Sequence, residues 1–135
     1  MKKVTNIEKF MVQEIVRSVE SLDIDEMFKS VLYAFFSSTM TFKSPIPSLV
    51  LTEGQEVLIH WVAGPVSIEV ESDRNGAYYM WGKNTDGVEY TSDRYDSIVA
   101  GTALLLREIE DRLEKNNPDW REKYLEAMEE IRPIV

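Results

Sequence analysis

The sequence predicts an α+β fold, a five-stranded antiparallel meander sheet preceded by two helices and followed by two more (ααβββββαα). Three observations predict it. Apolar residues recur at helical spacing before residue 38 and again after residue 96. Between Pro45 and Ser92 the chain changes to short β-rich runs. Those runs are broken by Glu53-Gly54, Gly64-Pro65, Asn75-Gly76 and Asp86-Gly87, pairs that favour turns. Strands grouped between helices indicate α+β rather than alternating α/β.

The elements follow in order. Thr5 and Glu8 have capping-box spacing, and Ile7, Phe10, Met11, Ile15, Val19 and Leu22 recur at helical intervals, which predicts a helix over 6–21. Asp23 and Glu26 repeat the capping pattern before an apolar stripe of Met27, Phe28, Val31, Leu32, Phe35 and Phe36, giving a second helix over 23–38 whose aromatic face belongs to a core. The turn pairs delimit strands over 48–52, 56–63, 66–72, 77–83 and 88–92. Ser92, Asp93 and Asp96 offer caps for a third helix over 96–115, carried by Ile98, Leu105, Leu106, Ile109 and Leu113. Its Ala100-Gly101-Thr102-Ala103 run is small enough to let a helix approach a sheet closely. Asn117-Pro118-Asp119 restarts a fourth helix over 118–131, stopped by Pro133.

At 135 residues the chain is expected to be a single domain spanning 1–135. Its 44% hydrophobic content suits a packed core. The absence of cysteine excludes a disulfide framework, a thiolate metal site and a cysteine nucleophile. Of the formal charge of −9, residues 61–135 carry −7. That balance repels a phosphate backbone and an anionic membrane surface, so neither nucleic acid nor membrane is an expected partner, whereas a basic protein is. Glu8, Lys9 and Glu14 fall where a signal peptide needs its apolar region, and no apolar run approaches the ~20 residues of a spanning helix, so the expected location is cytoplasmic.

Hairpin register assigns side chains to faces. Two-residue turns at Asn75-Gly76, Asp86-Gly87 and Gly64-Pro65 place Val50, Val57, Ile59, Trp61, Ala63, Val66, Ile68, Val70, Tyr79, Trp81, Val88 and Tyr90 on one apolar face, the expected core side. The opposite face then carries Leu49, Leu51, Leu58, His60, Val62, Ser67, Glu69, Glu71, Tyr78, Met80, Glu89 and Thr91, half polar and half apolar. Its polar half can meet water; its apolar half calls for a cover, whether the chain's own helices, a second copy in a homodimer, or a foreign protein. Leu49, Leu51, Leu58, His60, Val62, Glu69, Glu71, Tyr78 and Met80 are therefore the expected partner-binding residues.

Chemistry-bearing patterns are sparse. The only histidine, His60, falls opposite Glu69, the minimum for acid–base work, but no motif supplies a nucleophile, and one histidine with carboxylates is a poor zinc set. Glu71-Asp73-Asn75-Gly76 imitates the start of a calcium loop and then places Gly82 where a bidentate carboxylate is required. No Walker loop or dinucleotide fingerprint occurs. No catalytic residue, metal or cofactor is assigned. Arg74, Asn84, Arg94 and Tyr95 lie near strand ends or at the start of the third helix, where arginines, an aromatic ring and a helix N-terminus form an alternative site for a nucleotide-like anion. The mixed run Arg107-Glu108-Ile109-Glu110-Asp111-Arg112 reads as a solvated helix face.

Small size, acidity, lack of cysteine and a sheet between helices resemble the dimeric class of secretion chaperones at the level of architecture. That family places a helix between its third and fourth strands, where Asp73-Arg74-Asn75-Gly76 leaves room only for a tight turn. The stretch from Pro47 to Gly76, with Trp61 and Ile68-Glu69-Val70-Glu71, is also similar to short bacterial proteins of unknown role and lends no chemistry. The expected function is a non-enzymatic, acidic protein-interaction module of the antitoxin, immunity or phage-inhibitor type that binds and neutralises a larger partner. The alternatives are a small-molecule binding or sequestering protein and a secretion-chaperone-like dimer.

Overall fold

The computed structural model describes residues 6–131. They form α1 (Asn6–Glu20), α2 (Glu26–Thr39), β1 (Ser48–Leu51), β2 (Val57–Ala63), β3 (Val66–Asp73), β4 (Gly76–Lys83), β5 (Glu89–Ser92), α3 (Tyr95–Asn116) and α4 (Trp120–Ile131), an α+β fold in the expected order. The sheet is an antiparallel meander, β1-β2-β3-β4-β5, so β3 is its central strand. Thr5 and Pro133 lie outside the described residues.

Helix α2 starts at Glu26, three residues later than the expected 23, because Asp25, not Asp23, caps it. Asp25 accepts a hydrogen bond from the Phe28 amide at 2.9 Å, and its other carboxylate oxygen meets Arg74 at 2.7 Å. One side chain thus ends the helix and ties the β3–β4 turn to it. Lys29 bridges Glu20 of α1 and Glu26 at 3.1 and 3.2 Å, and these two carboxylates raise its pKa above the ordinary lysine value. At α3 the N-cap position is Arg94 without a side-chain cap; Ser92 instead accepts the Arg94 amide through its hydroxyl at 3.2 Å.

The core lies on one face of the sheet. Phe28, Leu32, Phe35 and Phe36 of α2 and Ile98, Leu105, Leu106 and Ile109 of α3 pack on Val57, Ile59, Trp61, Val66, Ile68, Val70, Ala77 and Met80. Trp61 meets Phe36 edge to face at 6.2 Å and donates its indole N–H to the Pro45 carbonyl at 2.9 Å, so the largest core ring is also hydrogen-bonded. Helix α3 comes close where side chains are small. A Cβ at Gly82 would collide with Leu105, and one at Gly101 would press on Tyr90 and Met80. Tyr90 reaches over that gap to donate to the Gly101 carbonyl at 3.0 Å; burial and nearby Glu108 push its pKa up.

Three hairpins depart from the expected register, each for a local reason. Between β1 and β2 the loop has three residues, Glu53-Gly54-Gln55, closed by Thr52 on Glu56, with Gln55 at φ 63°. This pairs Leu51 with Val57 and Leu49 with Ile59, so Leu49 and Leu51 face the core and Val50 faces outward, 52% exposed. Between β3 and β4, Asp73 accepts the Asn75 amide at 2.8 Å and pairs with Gly76, which centres the turn on Arg74-Asn75 rather than Asn75-Gly76. A bulge at Tyr78 then shifts the ladder again, pairing Val70 with Met80 and Glu69 with Trp81. Met80 therefore points into the core, whereas Tyr79 and Trp81, both expected inside, lie on the outer face. Between β4 and β5 the loop is Thr85-Asp86-Gly87, with Gly87 at φ 83° and Asn84 accepting the Asp86 and Val88 amides. Val88 is left 57% exposed beyond the helix cover, while Tyr90 keeps its inward place opposite Gly82. The β2–β3 hairpin follows expectation, Ala63 opposite Val66, with Gly64 at φ 58° in the turn position that requires positive φ.

Candidate protein-interaction surface

Among the described residues, no helix covers the face of the sheet turned away from α2 and α3. Alternation along β2, β3 and β4 sends every second side chain there. Its rows run Ser48–His60–Glu69–Trp81–Thr91, Val50–Leu58–Glu71–Tyr79, and Val62–Ser67–Lys83–Glu89. Tyr78, displaced by the bulge, joins them and donates its hydroxyl to Glu56. Of the nine residues expected on this face, Leu58, His60, Val62, Glu69, Glu71 and Tyr78 are there. Leu49, Leu51 and Met80 are not, for the register reasons given above. The sequence missed Val50, Tyr79 and Trp81, which replace them; the three-residue spacing of the Thr52–Glu56 loop was the available signal for Val50, whereas Tyr79 and Trp81 are turned outward by the bulge at Tyr78.

The apolar part is extensive. Val50, Leu58, Val62, Tyr78 and Tyr79 are all exposed, Val62 by 62%, and Trp81 is partly so. Through the middle, on the central strand, run Glu69 and Glu71. Glu69 faces Trp81 on one side and His60 on the other; Glu71 faces Tyr79 and Leu58. No hydrogen bond or ion pair from another described residue reaches either carboxylate. The other charges on this face are engaged or opposed: Lys83 stands opposite Glu89, and Glu56 holds Tyr78.

The His60–Glu69 pair meets across the ladder as expected, but the imidazole makes its hydrogen bond elsewhere, Nε2 lying 3.2 Å from the Ser67 hydroxyl. That is nucleophile-and-base spacing. It sits on a flat face where β2 and β3 pair along their length, so their backbone N–H groups are committed to the ladder instead of converging on an oxyanion. The arrangement can hold a polar partner group. Among the described residues, no group of three or more His, Asp and Glu side chains converges to hold a metal ion.

The four residues of the alternative anion site are not brought together. Arg74 is paired with Asp25 and touches Met27. Tyr95 lies beside Gly76 at that same end of β4, with Arg94 next to it in the chain. Asn84 is at the opposite end of β4, where its side chain builds the loop.

A second concave feature lies between the helices. Met11, Ile15 and Val16 of α1, Tyr33 of α2, and Met40 and Phe42 of the segment that follows it line an apolar groove of about 520 Å³. Burial and nearby Glu20 raise the Tyr33 pKa. The loop is fixed from below by Glu110, which was expected in solvent and is 6% exposed. It accepts hydrogen bonds from Thr41 at 3.0 Å and Ser44 at 2.9 Å and pairs with Arg107, which also donates to the Thr39 carbonyl.

No helix among the described residues is long and apolar enough to cross a membrane. No family model, curated protein or solved structure matches this chain.

Proposed function

We propose that this protein is a non-enzymatic interaction module that binds and neutralises a larger partner protein, as antitoxin, immunity and phage-inhibitor proteins do. One observation carries the reading: both helices that pack on the sheet use the same face, leaving Val50, Leu58, Val62, Tyr79 and Trp81 together on the other. Large apolar side chains exposed on one face, here flanking a central pair of carboxylates, are the usual mark of a contact surface. The acidic balance of residues 61–135 favours a basic partner. The test is capture from a native lysate with the wild type and Val62→Glu in parallel. A stoichiometric partner retained by the first and lost by the second supports the reading; wild-type chain recovered alone contradicts it.

A second reading, a small-molecule binding protein, draws support from the groove between α1 and α2. Its lining suits an apolar ligand rather than the nucleotide-like anion expected from sequence. A thermal-shift screen with fatty acids and other apolar metabolites tests it, and no stabilisation by any of them counts against it.

A further inference from the structure

We infer that the open sheet face recognises arginine side chains of its protein partner, each guanidinium lying against an aromatic ring of β4 and pairing with a carboxylate of β3. This rests on the docking reading above and names the chemistry of the docked surface. Glu69 and Trp81 are cross-strand partners, as are Glu71 and Tyr79. The face thus repeats one unit, a carboxylate beside an aromatic ring, at two successive outward positions. Arginine fits such a unit better than lysine because its planar fork bonds a carboxylate bidentately while its flat face stacks on a ring. The two units are two residues apart along β3, about 7 Å, so the matching surface presents cations at that spacing, as residues two apart on a strand or four apart on a helix do.

Size and symmetry argue against a second copy as the occupant. Five strands about 4.8 Å apart and four to eight residues long project roughly 500 Å², while a stable complex buries about 800 Å² per partner. A tight complex must therefore use the whole face, β3 included. A two-fold contact over the whole face brings Glu69 and Glu71, on the central strand, against their own copies, and like charges facing each other oppose association. An arginine-bearing protein removes that conflict, since it supplies the charge that no other described residue brings to these carboxylates.

The test uses an arginine-rich peptide with charges at alternate positions and its lysine counterpart, titrated against the full chain by calorimetry. Variants are Glu69→Gln/Glu71→Gln, Trp81→Ala, and Asp86→Asn/Asp111→Asn as a remote control with the same change in charge. The expected result is binding of the arginine peptide that falls at least about tenfold in the first two variants and is unchanged in the control, with the lysine peptide several-fold weaker. Equal weakening by the control, equal affinity for lysine, or no binding overturns the inference. So does concentration-dependent dimerisation that Val62→Glu abolishes, because a second copy would then cover the face. If the peptide fails while a lysate partner is still lost on Val62→Glu, the arginine assignment falls and the docking surface stands; if the lysate partner is insensitive as well, both fall.

Discussion

Glu69 and Trp81 stand directly opposite each other on β3 and β4, on the side of the sheet turned away from α2 and α3. That pairing exists because a turn centred on Arg74-Asn75 and a bulge at Tyr78 together rotate the outer half of β4. It changes what the surface is: an aromatic ring next to a carboxylate rather than a methionine next to one.

Two nearby leucines give opposite outcomes under the same substitution. Leu58→Glu falls on the outer face and should change stability by no more than about 0.5 kcal/mol while weakening partner association. Leu51→Glu places a carboxylate on the core side, opposite Val57, and should cost about 2–3 kcal/mol. Urea denaturation distinguishes them; equal effects would mean that the β1–β2 register is wrong.

Helix α3 depends on the lack of a side chain at Gly82. Gly82→Ala drives a methyl group into Leu105, and the expected loss is about 1–3 kcal/mol. Pairing it with Leu105→Val should recover part of that loss in a double-mutant cycle, whereas strict additivity would show that the contact is not the cause.

Glu110 holds the loop that forms one wall of the α1–α2 groove. Glu110→Ala leaves Thr41, Ser44 and Arg107 without their common acceptor and should cost about 2–3 kcal/mol, with Arg107's partial exposure keeping the figure below that of a fully buried pair. Proteolysis should open first at residues 40–46 in this variant. Unchanged stability and unchanged protection there would remove the clamp.

Tyr90 has a folded-state pKa raised above the unfolded value, chiefly by burial. Its neutral form is therefore favoured in the fold, and the associated stability is present below about pH 10 and lost as pH rises through the folded pKa. Lys29, raised by its bonds to Glu20 and Glu26, follows the same direction. Tyr90→Phe should lower stability by about 0.5–1.5 kcal/mol at neutral pH and flatten the decline that sets in above about pH 10. Parallel wild-type and variant curves in urea would contradict this.

Element order and the core of β2 and β3 were legible in the sequence because periodicity and the Gly64-Pro65 turn determine them without tertiary help. Trp61, Ile68 and the α2 aromatics stand where alternation and helical spacing place them. The faces of β1 and β4 were not legible: that of β1 depends on a three-residue rather than a two-residue loop, and that of β4 on the bulge at Tyr78, which flips Tyr79, Met80 and Trp81. Gln55 takes a positive φ that glycine would normally advertise, and Asp73 captures an amide before the more familiar Asn-Gly pair can turn the chain. Glu110 was misread for a different reason: a charged residue in a charged run gives no sign that Thr41 and Ser44, more than 60 positions earlier, will come to meet it. Six of the nine expected contact residues survived because β2 and β3 carry most of them.

The most direct measurement is covalent footprinting of the aromatic side chains, read by mass spectrometry, for the protein alone and in the complex recovered from lysate. Shielding of Tyr78, Tyr79 and Trp81 in the complex, with Phe42 in the helical groove labelled equally in both, is the predicted result. Unchanged labelling of Tyr79 and Trp81 would show that the partner docks elsewhere.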